Sequence, residues 1–205
     1  VKIGKITFSG NEQFPEKRLR RTFKKTKQKS LNFLKSAKLN VDDYKEDKNL
    51  LVDFYNSRGY RNATILSDSI YDINDKRIGI HINLSEGNKF YIRNINWVGN
   101  SVYETEDLQR IFSTKSGDTY DKKSMHKSLG IGREMDPDQN SIASLYQNNG
   151  YLMSQIEPAE IVVGPDSIDV EVRIFEGNPF TINEIGISGN ERVNDEVIRR
   201  EIDIF

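Results

Sequence analysis

Apolar and polar residues alternate in three short stretches: Ile6 and Phe8, Ile95 and Trp97, Ile185 and Ile187. A period of two predicts a strand with one buried face. Each stretch runs into Gly-Asn, at 10–11, 99–100 and 189–190, residue types that tolerate positive φ and so predict a turn. A helix start follows each turn: Pro15-Glu16, Thr105-Glu106-Asp107 and Asn194-Asp195-Glu196. Pro suits a first helical turn, Thr and Asn suit N-caps, and early acids complement the helix dipole. A second helix is predicted over about Asp42–Ser57, with Tyr44, Leu51 and Tyr55 on one stripe and Leu50 and Phe54 beside it. Gly59 and Gly150 fall where a left-handed C-cap belongs, each followed by an aromatic residue. Two alternating strands close the pattern, through Ile78, Ile80, Ile82 and Leu84 and again through Ile168, Val170, Val172 and Ile174. Asn74-Asp75 and Gly164-Pro165-Asp166 mark the preceding hairpin turns. The order β-α-α-β-β predicts an α+β unit in which two helices cover one face of a three-stranded mixed sheet.

The pattern is a repeat. Gly-Asn recurs after 89 and then 90 residues, and Glu86-Gly87-Asn88-Lys89-Phe90 returns as Glu176-Gly177-Asn178-Pro179-Phe180 after 90. Phe54-Tyr55-Asn56-Ser57-Arg58-Gly59-Tyr60 returns as Leu145-Tyr146-Gln147-Asn148-Asn149-Gly150-Tyr151 after 91. Markers that share one period and one order predict tandem units at 1–89 and 90–179, with 180–205 the start of another. A chain that opens at Val1 without Met and stops inside a third unit is expected to be a piece of a longer one. No Pro- or Gly-rich linker separates the units, so Phe90, Trp97 and Phe180 are candidates for packing between neighbours in a semi-rigid rod.

Composition removes most enzyme classes. The 205 residues include no cysteine and two histidines, which excludes thiolate chemistry and disfavours a multi-histidine metal site or a Ser-His-Asp device. No apolar run reaches the ~18–20 residues of a membrane helix. No cofactor or resident metal is expected. Asp136-Pro137-Asp138 opens like a calcium loop, but Ser141 stands where glycine belongs and Gln147 where glutamate belongs. Gly130-Ile131-Gly132 lacks the third glycine and the preceding strand of a dinucleotide site. His81 lies at outward parity in its strand and reads as a solvated surface residue. No nucleophile–base–orienter set presents itself, so the chain is not expected to be an enzyme.

The net charge of −1 conceals a basic end. Residues 1–40 hold twelve Lys/Arg against two Glu, leaving eighteen Lys/Arg against 29 Asp/Glu in 41–205. Lys17 to Lys38 could face an acidic partner or an anionic lipid surface. Only Phe23 and Phe33 punctuate the run, too few aromatics for a base-stacking platform, so nucleic acid is not expected. Arg20, Arg21 and Lys24 are the candidates for electrostatic docking.

The early Gly-Asn, the aromatic-x-x-x-Gly-Tyr after helix two and the closing Glu-Gly resemble a POTRA domain. Gly117-Asp118-Thr119-Tyr120, Asn149-Gly150-Tyr151-Leu152 and Val197-Ile198-Arg199-Arg200-Glu201 are similar to BamA-like outer-membrane β-barrel assembly factors, in the wording found in Bacteroidetes. Related translocation and two-partner secretion transporters carry POTRA domains too. Two departures stand out: a long basic connection at Lys24–Asn40, and an insertion around Gly130–Asp138. The resemblance implies a non-enzymatic scaffold at the periplasmic face of the outer membrane. Its partners would be accessory assembly lipoproteins and unfolded outer-membrane proteins, guided toward a C-terminal membrane barrel. It also implies that the first strand of the closing hairpin lies at a sheet edge, which makes Ala63–Tyr71 and Met153–Val163 candidates for β-augmentation. The first has little charge and no Pro, and Ile65, Ser67 and Ser69 are its candidate pairing residues, whereas Glu157, Pro158 and Glu160 discourage pairing in the second.

Overall fold

The computed structural model describes residues 2–28, 39–132, 140–189 and 194–201. The chain divides into two compact units, one of Val1–Asn96, Thr114–His126 and Glu160–Val170, the other of Trp97–Ser113, Lys127–Ala159 and Glu171–Phe205.

The first repeat runs β1 (Lys2–Ser9), α1 (Glu16–Leu19), α2 (Val41–Asn56), β2 (Thr64–Asn74) and β3 (Arg77–Ser85), with sheet order β1-β3-β2. β1 is parallel to β3, with Ile6 opposite Ile80 and Phe8 opposite Ile82, while β2 is antiparallel to β3. The alternating side chains Ile6, Phe8, Ile80, Ile82 and Leu84 turn inward and pack with Leu19, Phe23, Tyr44, Leu51 and Tyr55 from the helical side. Burying each such side chain contributes about 1.5–3 kcal/mol. Asn40 caps α2, its side chain accepting from the backbone N–H groups of Asp42 and Asp43.

Two buried carboxylates hold the irregular parts of this repeat. Asp47, fully buried on α2, accepts from the backbone N–H groups of Lys24, Lys25 and Thr26, and so fixes the chain that leaves α1. Glu86 accepts from Glu12 N–H at 3.0 Å, Gln13 N–H at 3.0 Å and the Tyr55 hydroxyl at 2.8 Å. That clamp pins the turn after β1 to the end of β3. It also accounts for the repeating Glu-Gly, because Glu176 likewise accepts from Val102 N–H, the Ser101 hydroxyl and the Tyr146 hydroxyl. The Gly-Asn marker has a physical cause as well. Gly10 and Gly99 have φ of +78° and +87°, and a Cβ on them would lie 1.9 Å from the Leu84 carbonyl oxygen and 2.2 Å from that of Ile174.

The second repeat comprises β4 (Tyr91–Val98), α3 (Thr105–Ile111), α4 (Lys122–Leu129), α5 (Ile142–Asn148), β5 (Gln155–Val162) and β6 (Ser167–Phe175), with sheet order β4-β6-β5. It has one helix more than the expected two. Gly130 and Gly132 adopt φ of +76° and +106°, outside helical space, and the second helix is split there into α4 and α5. α5 restarts on Ser141, whose hydroxyl accepts from Ser144 N–H. The would-be calcium loop at Asp136 lies outside the described residues. A further short helix, α6 (Asp195–Arg200), follows. The strand expected through Ile185 and Ile187 does not form: among the described residues no strand pairs with it, and alternation alone cannot satisfy a backbone ladder.

Candidate functional site: an open sheet edge

The two edges of the first sheet differ. β1 is closed by side chains that return to it: Gln28 Oε1 accepts from Ile6 N–H and Glu16 Oε1 from Phe8 N–H, each at 3.3 Å. Arg20 donates to the Ile6 carbonyl at 3.3 Å and to Glu16 at 2.6 Å. In the second repeat, loop backbone does the same for β4, with Ile92 donating to Asp118 and accepting from Gly117.

β2 has no such cover. Among the described residues it pairs with β3 alone, which leaves the backbone groups along its other side without a ladder. It is exposed along most of its length, including Leu66 at 61% and Ile70 at 49%. Register shifts fall at Leu66 and Ile73, so the regular run is Ser67–Asp72. Asp68 accepts from the Tyr44 hydroxyl at 2.9 Å and from Lys48, tying this strand to α2. Burial, then the bond to Asp68, pushes the Tyr44 phenol far above its ordinary value. On the opposite face the Tyr71 ring lies over Gly79, where a Cβ would sit 2.2 Å from the ring. An exposed, regular strand with one free side has the geometry that strand addition requires.

The expected pairing residues divide between the two faces. Ile65, opposite Leu84, packs against the core, whereas Ser67 and Ser69 are exposed, opposite Asn83 and His81. His81 is not a freely solvated residue. It is half-buried, with Nδ1 3.0 Å from the Thr7 hydroxyl and Nε2 3.1 Å from that of Ser9, because β1 lies beside it and presents both. Of the basic candidates, Arg20 is committed to Glu16 and the β1 edge, while Arg21 and Lys24 are exposed. Lys29, Lys35 and Lys38 lie outside the described residues. Phe90 is buried at 2%, Trp97 stands edge-on to Phe112 at 5.4 Å, and Phe180 is 53% exposed. Phe90 N–H donates to the Gly59 carbonyl and Phe180 N–H to that of Gly150, each at 2.8 Å.

The closing of β1 was missed by the sequence reading. Gln28, Glu16 and Arg20 reach strand residues 8 to 22 positions away, a relation with no local period. Among the described residues no group of His, Asp and Glu could hold a metal ion, and no helix is long and apolar enough to cross a membrane.

The POTRA family, described as "Surface antigen variable number repeat", matches residues 1–87 and 90–177. The chain belongs to that family. It is 30% identical over 98% of its length to the outer membrane protein assembly factor BamA of Neisseria meningitidis serogroup B, covering 25% of that protein. To the BamA of Neorickettsia risticii it is 23% identical over 98% of its length, covering 26%. The chain therefore spans about a quarter of these relatives. Among solved structures, POTRA3-5 of Haemophilus influenzae BamA superposes with a TM-score of 0.67 at 18% identity, over 98% of this chain and 76% of that one. BamA of Haemophilus ducreyi lacking POTRA domains 1-3 gives 0.63 at 16% identity, over 87% and 30%. At those identities the likeness establishes the fold.

Proposed function

We propose that this chain is the tandem-POTRA part of a BamA-like outer-membrane protein assembly factor, and that it works as a non-enzymatic scaffold at the periplasmic face of that membrane. Its β2 edge takes up extended segments of unfolded barrel proteins by β-augmentation, and its exposed basic residues, Arg21 and Lys24 among them, help to dock accessory lipoproteins. The observation that carries the pairing reading is the asymmetry of the first sheet: β1 is capped by Gln28, Glu16 and Arg20, and β2 is bare. Main-chain bonds recognise any extended strand, and alternate side chains add weak selectivity, which suits an acceptor of many substrates.

The test is amide NMR with a saturating synthetic peptide copying one strand of a membrane β-barrel. Shifts should concentrate in Thr64–Asn74 and spare Lys2–Ser9, and Ser69→Lys should weaken binding severalfold by charging the edge. A peptide that leaves Ser67–Asp72 unmoved at saturation sinks the pairing reading.

A further inference from the structure

A second feature of the first repeat plays no part in strand pairing. Phe14 and Tyr55 meet edge-to-face at 5.3 Å, Phe14 and Tyr60 at 5.6 Å, and Tyr55 and Tyr60 at 6.0 Å. The corresponding aromatics of the second repeat make the same kind of contact: Tyr103 with Tyr146 at 4.9 Å and Tyr146 with Tyr151 at 5.9 Å. This arrangement therefore belongs to the unit's architecture.

The charges around it do not. In the first repeat Phe14 and Tyr60 line a cavity of about 380 Å³ together with Arg18, Arg58 and Lys89. The Arg58 guanidinium stacks 3.8 Å from the centre of the Phe54 ring, and that of Arg18 lies 5.5 Å from the same ring and 5.2 Å from Phe14. Two like charges thus share one aromatic ring. Among the described residues no carboxylate lies within ion-pair distance of Arg18, Arg58 or Lys89, although Asp121 acts weakly on Arg58. Burial, and then the charge of Arg18, push the Arg58 guanidinium below its ordinary value. In the second repeat the equivalent positions are Asp107, Asn149 and Pro179. Asn149 does the structural work of Arg58 without a charge: its side chain donates to the Leu145 carbonyl at 2.8 Å, as Arg58 donates to that of Phe54 at 2.9 Å. The three cations are consequently not needed to build the fold. Crowding them without a counter-charge is unfavourable unless an anion offsets it.

We propose that the Arg18–Arg58–Lys89 pocket is a docking site for an acidic side chain of a partner polypeptide, presented beside an apolar or aromatic neighbour. A guanidinium positioned over a ring can still meet a carboxylate through its unused N–H groups, and Phe14 and Tyr60 supply the wall for the neighbour. A membrane surface fits less well, since it draws on basic residues spread over a broad face rather than on three cations grouped around a few rings. The site shares no residue with the β2 edge, so the two readings stand or fall separately.

The probe is acetyl-Ala-Phe-Glu-Ala-amide, titrated into the whole chain and followed by the Arg58 side-chain N–H and Tyr60 ring resonances. Its Gln counterpart, inorganic phosphate and phosphatidylglycerol vesicles form the comparison arms. The acidic peptide should give saturable shifts that fade with added salt, and the Gln peptide should bind at least tenfold more weakly. Arg58→Asn, which copies the second repeat and keeps the helix-end hydrogen bond, and Arg18→Gln should each weaken binding at least fivefold. The unfolding midpoint should stay unchanged or rise, because like-charge crowding is relieved. Absence of saturable shifts, equal binding of the Gln peptide, wild-type affinity in both variants, or stronger shifts with phosphate or vesicles than with the peptide would each overturn the proposal.

Discussion

Replacing Glu86 by Gln tests whether a carboxylate closes the first repeat. Glu86 is 7% exposed and receives two backbone N–H groups from the turn after β1 and the hydroxyl of Tyr55. Hydrogen bonds to a charged group contribute about 1.5–3 kcal/mol each, and they are not additive when they share one acceptor. Glutamine keeps one carbonyl oxygen but turns an NH2 toward a donor, so one turn N–H loses its acceptor. The expected cost is about 2–3 kcal/mol. In a repeat of this size that lowers the midpoint by roughly 10–20 °C. Tyr55→Phe removes a single bond and should cost about 1.5 kcal/mol. The double variant should fall short of additivity by about 1 kcal/mol, since the hydroxyl and the turn amides hold the same carboxylate. Urea unfolding followed through the amide resonances of Ile80 and Ile82, central in β3, reads this repeat directly. A cost below about 0.5 kcal/mol for Glu86→Gln, or strict additivity with Tyr55→Phe, would refute the clamp.

The same device in the second repeat gives a pH dependence. Burial pushes the Glu176 carboxyl up, but bonds from the Ser101 hydroxyl, Val102 N–H and the Tyr146 hydroxyl outweigh it and hold it below the ordinary 4.5. Its charge therefore supports the folded state above about 4.5, and that support is lost as pH falls through the lowered folded value. Fluorescence of Trp97, the one tryptophan in the chain, should show Glu176→Gln less stable at neutral pH and the difference vanishing in acid; a constant difference refutes the linkage. Alanine at Gly10 or Gly99 meets both a positive φ and a carbonyl oxygen, and should cost upward of about 2–3 kcal/mol by chemical denaturation. Gly189→Ala, also at positive φ but with nothing within 4 Å, should cost about 1 kcal/mol, and equal costs at the three sites would refute the close-approach argument.

What could be read from the sequence was whatever carries a period. The alternation Ile78, Ile80, Ile82, Leu84, the aromatic stripe of α2 and the Gly-Asn and Glu-Gly markers recur because each unit meets the same steric and hydrogen-bonding demands at Gly10, Glu86 and their counterparts. The insertion around Gly130–Asp138 was legible, but not that it divides the second helix of the second repeat into α4 and α5. The two glycines at 130 and 132 cut it by backbone conformation rather than by polarity. His81 was placed on the right face but in the wrong surroundings, since Thr7 and Ser9 reach it only through the parallel pairing of β1 with β3. The basic pocket was invisible for a similar reason. Arg18 lies on α1 and Arg58 just past the end of α2, 40 positions apart, and they meet only because both helices border the Phe14–Phe54–Tyr60 rings.

These contacts also sort the basic residues by use. Arg20 sits in the middle of the positive run at the start of the chain, yet its guanidinium closes an edge: it bonds the Ile6 carbonyl while pairing with Glu16, which in turn takes the Phe8 N–H. Drawing Arg20 away to meet a partner would release a strand carbonyl and unbalance the Glu16 carboxylate, whose bonds to Phe8 and Arg20 hold it below its ordinary value against the opposing effect of burial. A docking partner therefore gains more from cations whose own repeat does not need their charge. Arg18 and Arg58 meet that condition, because the second repeat packs Tyr103, Tyr146 and Tyr151 with Asp107 and Asn149 in their places and with Leu145 where Phe54 stands. The dense positive charge of residues 1–28 thus divides into a part that covers the β1 edge and a part without such a structural duty, and with β1 covered the edge left for the proposed strand addition in this sheet is β2.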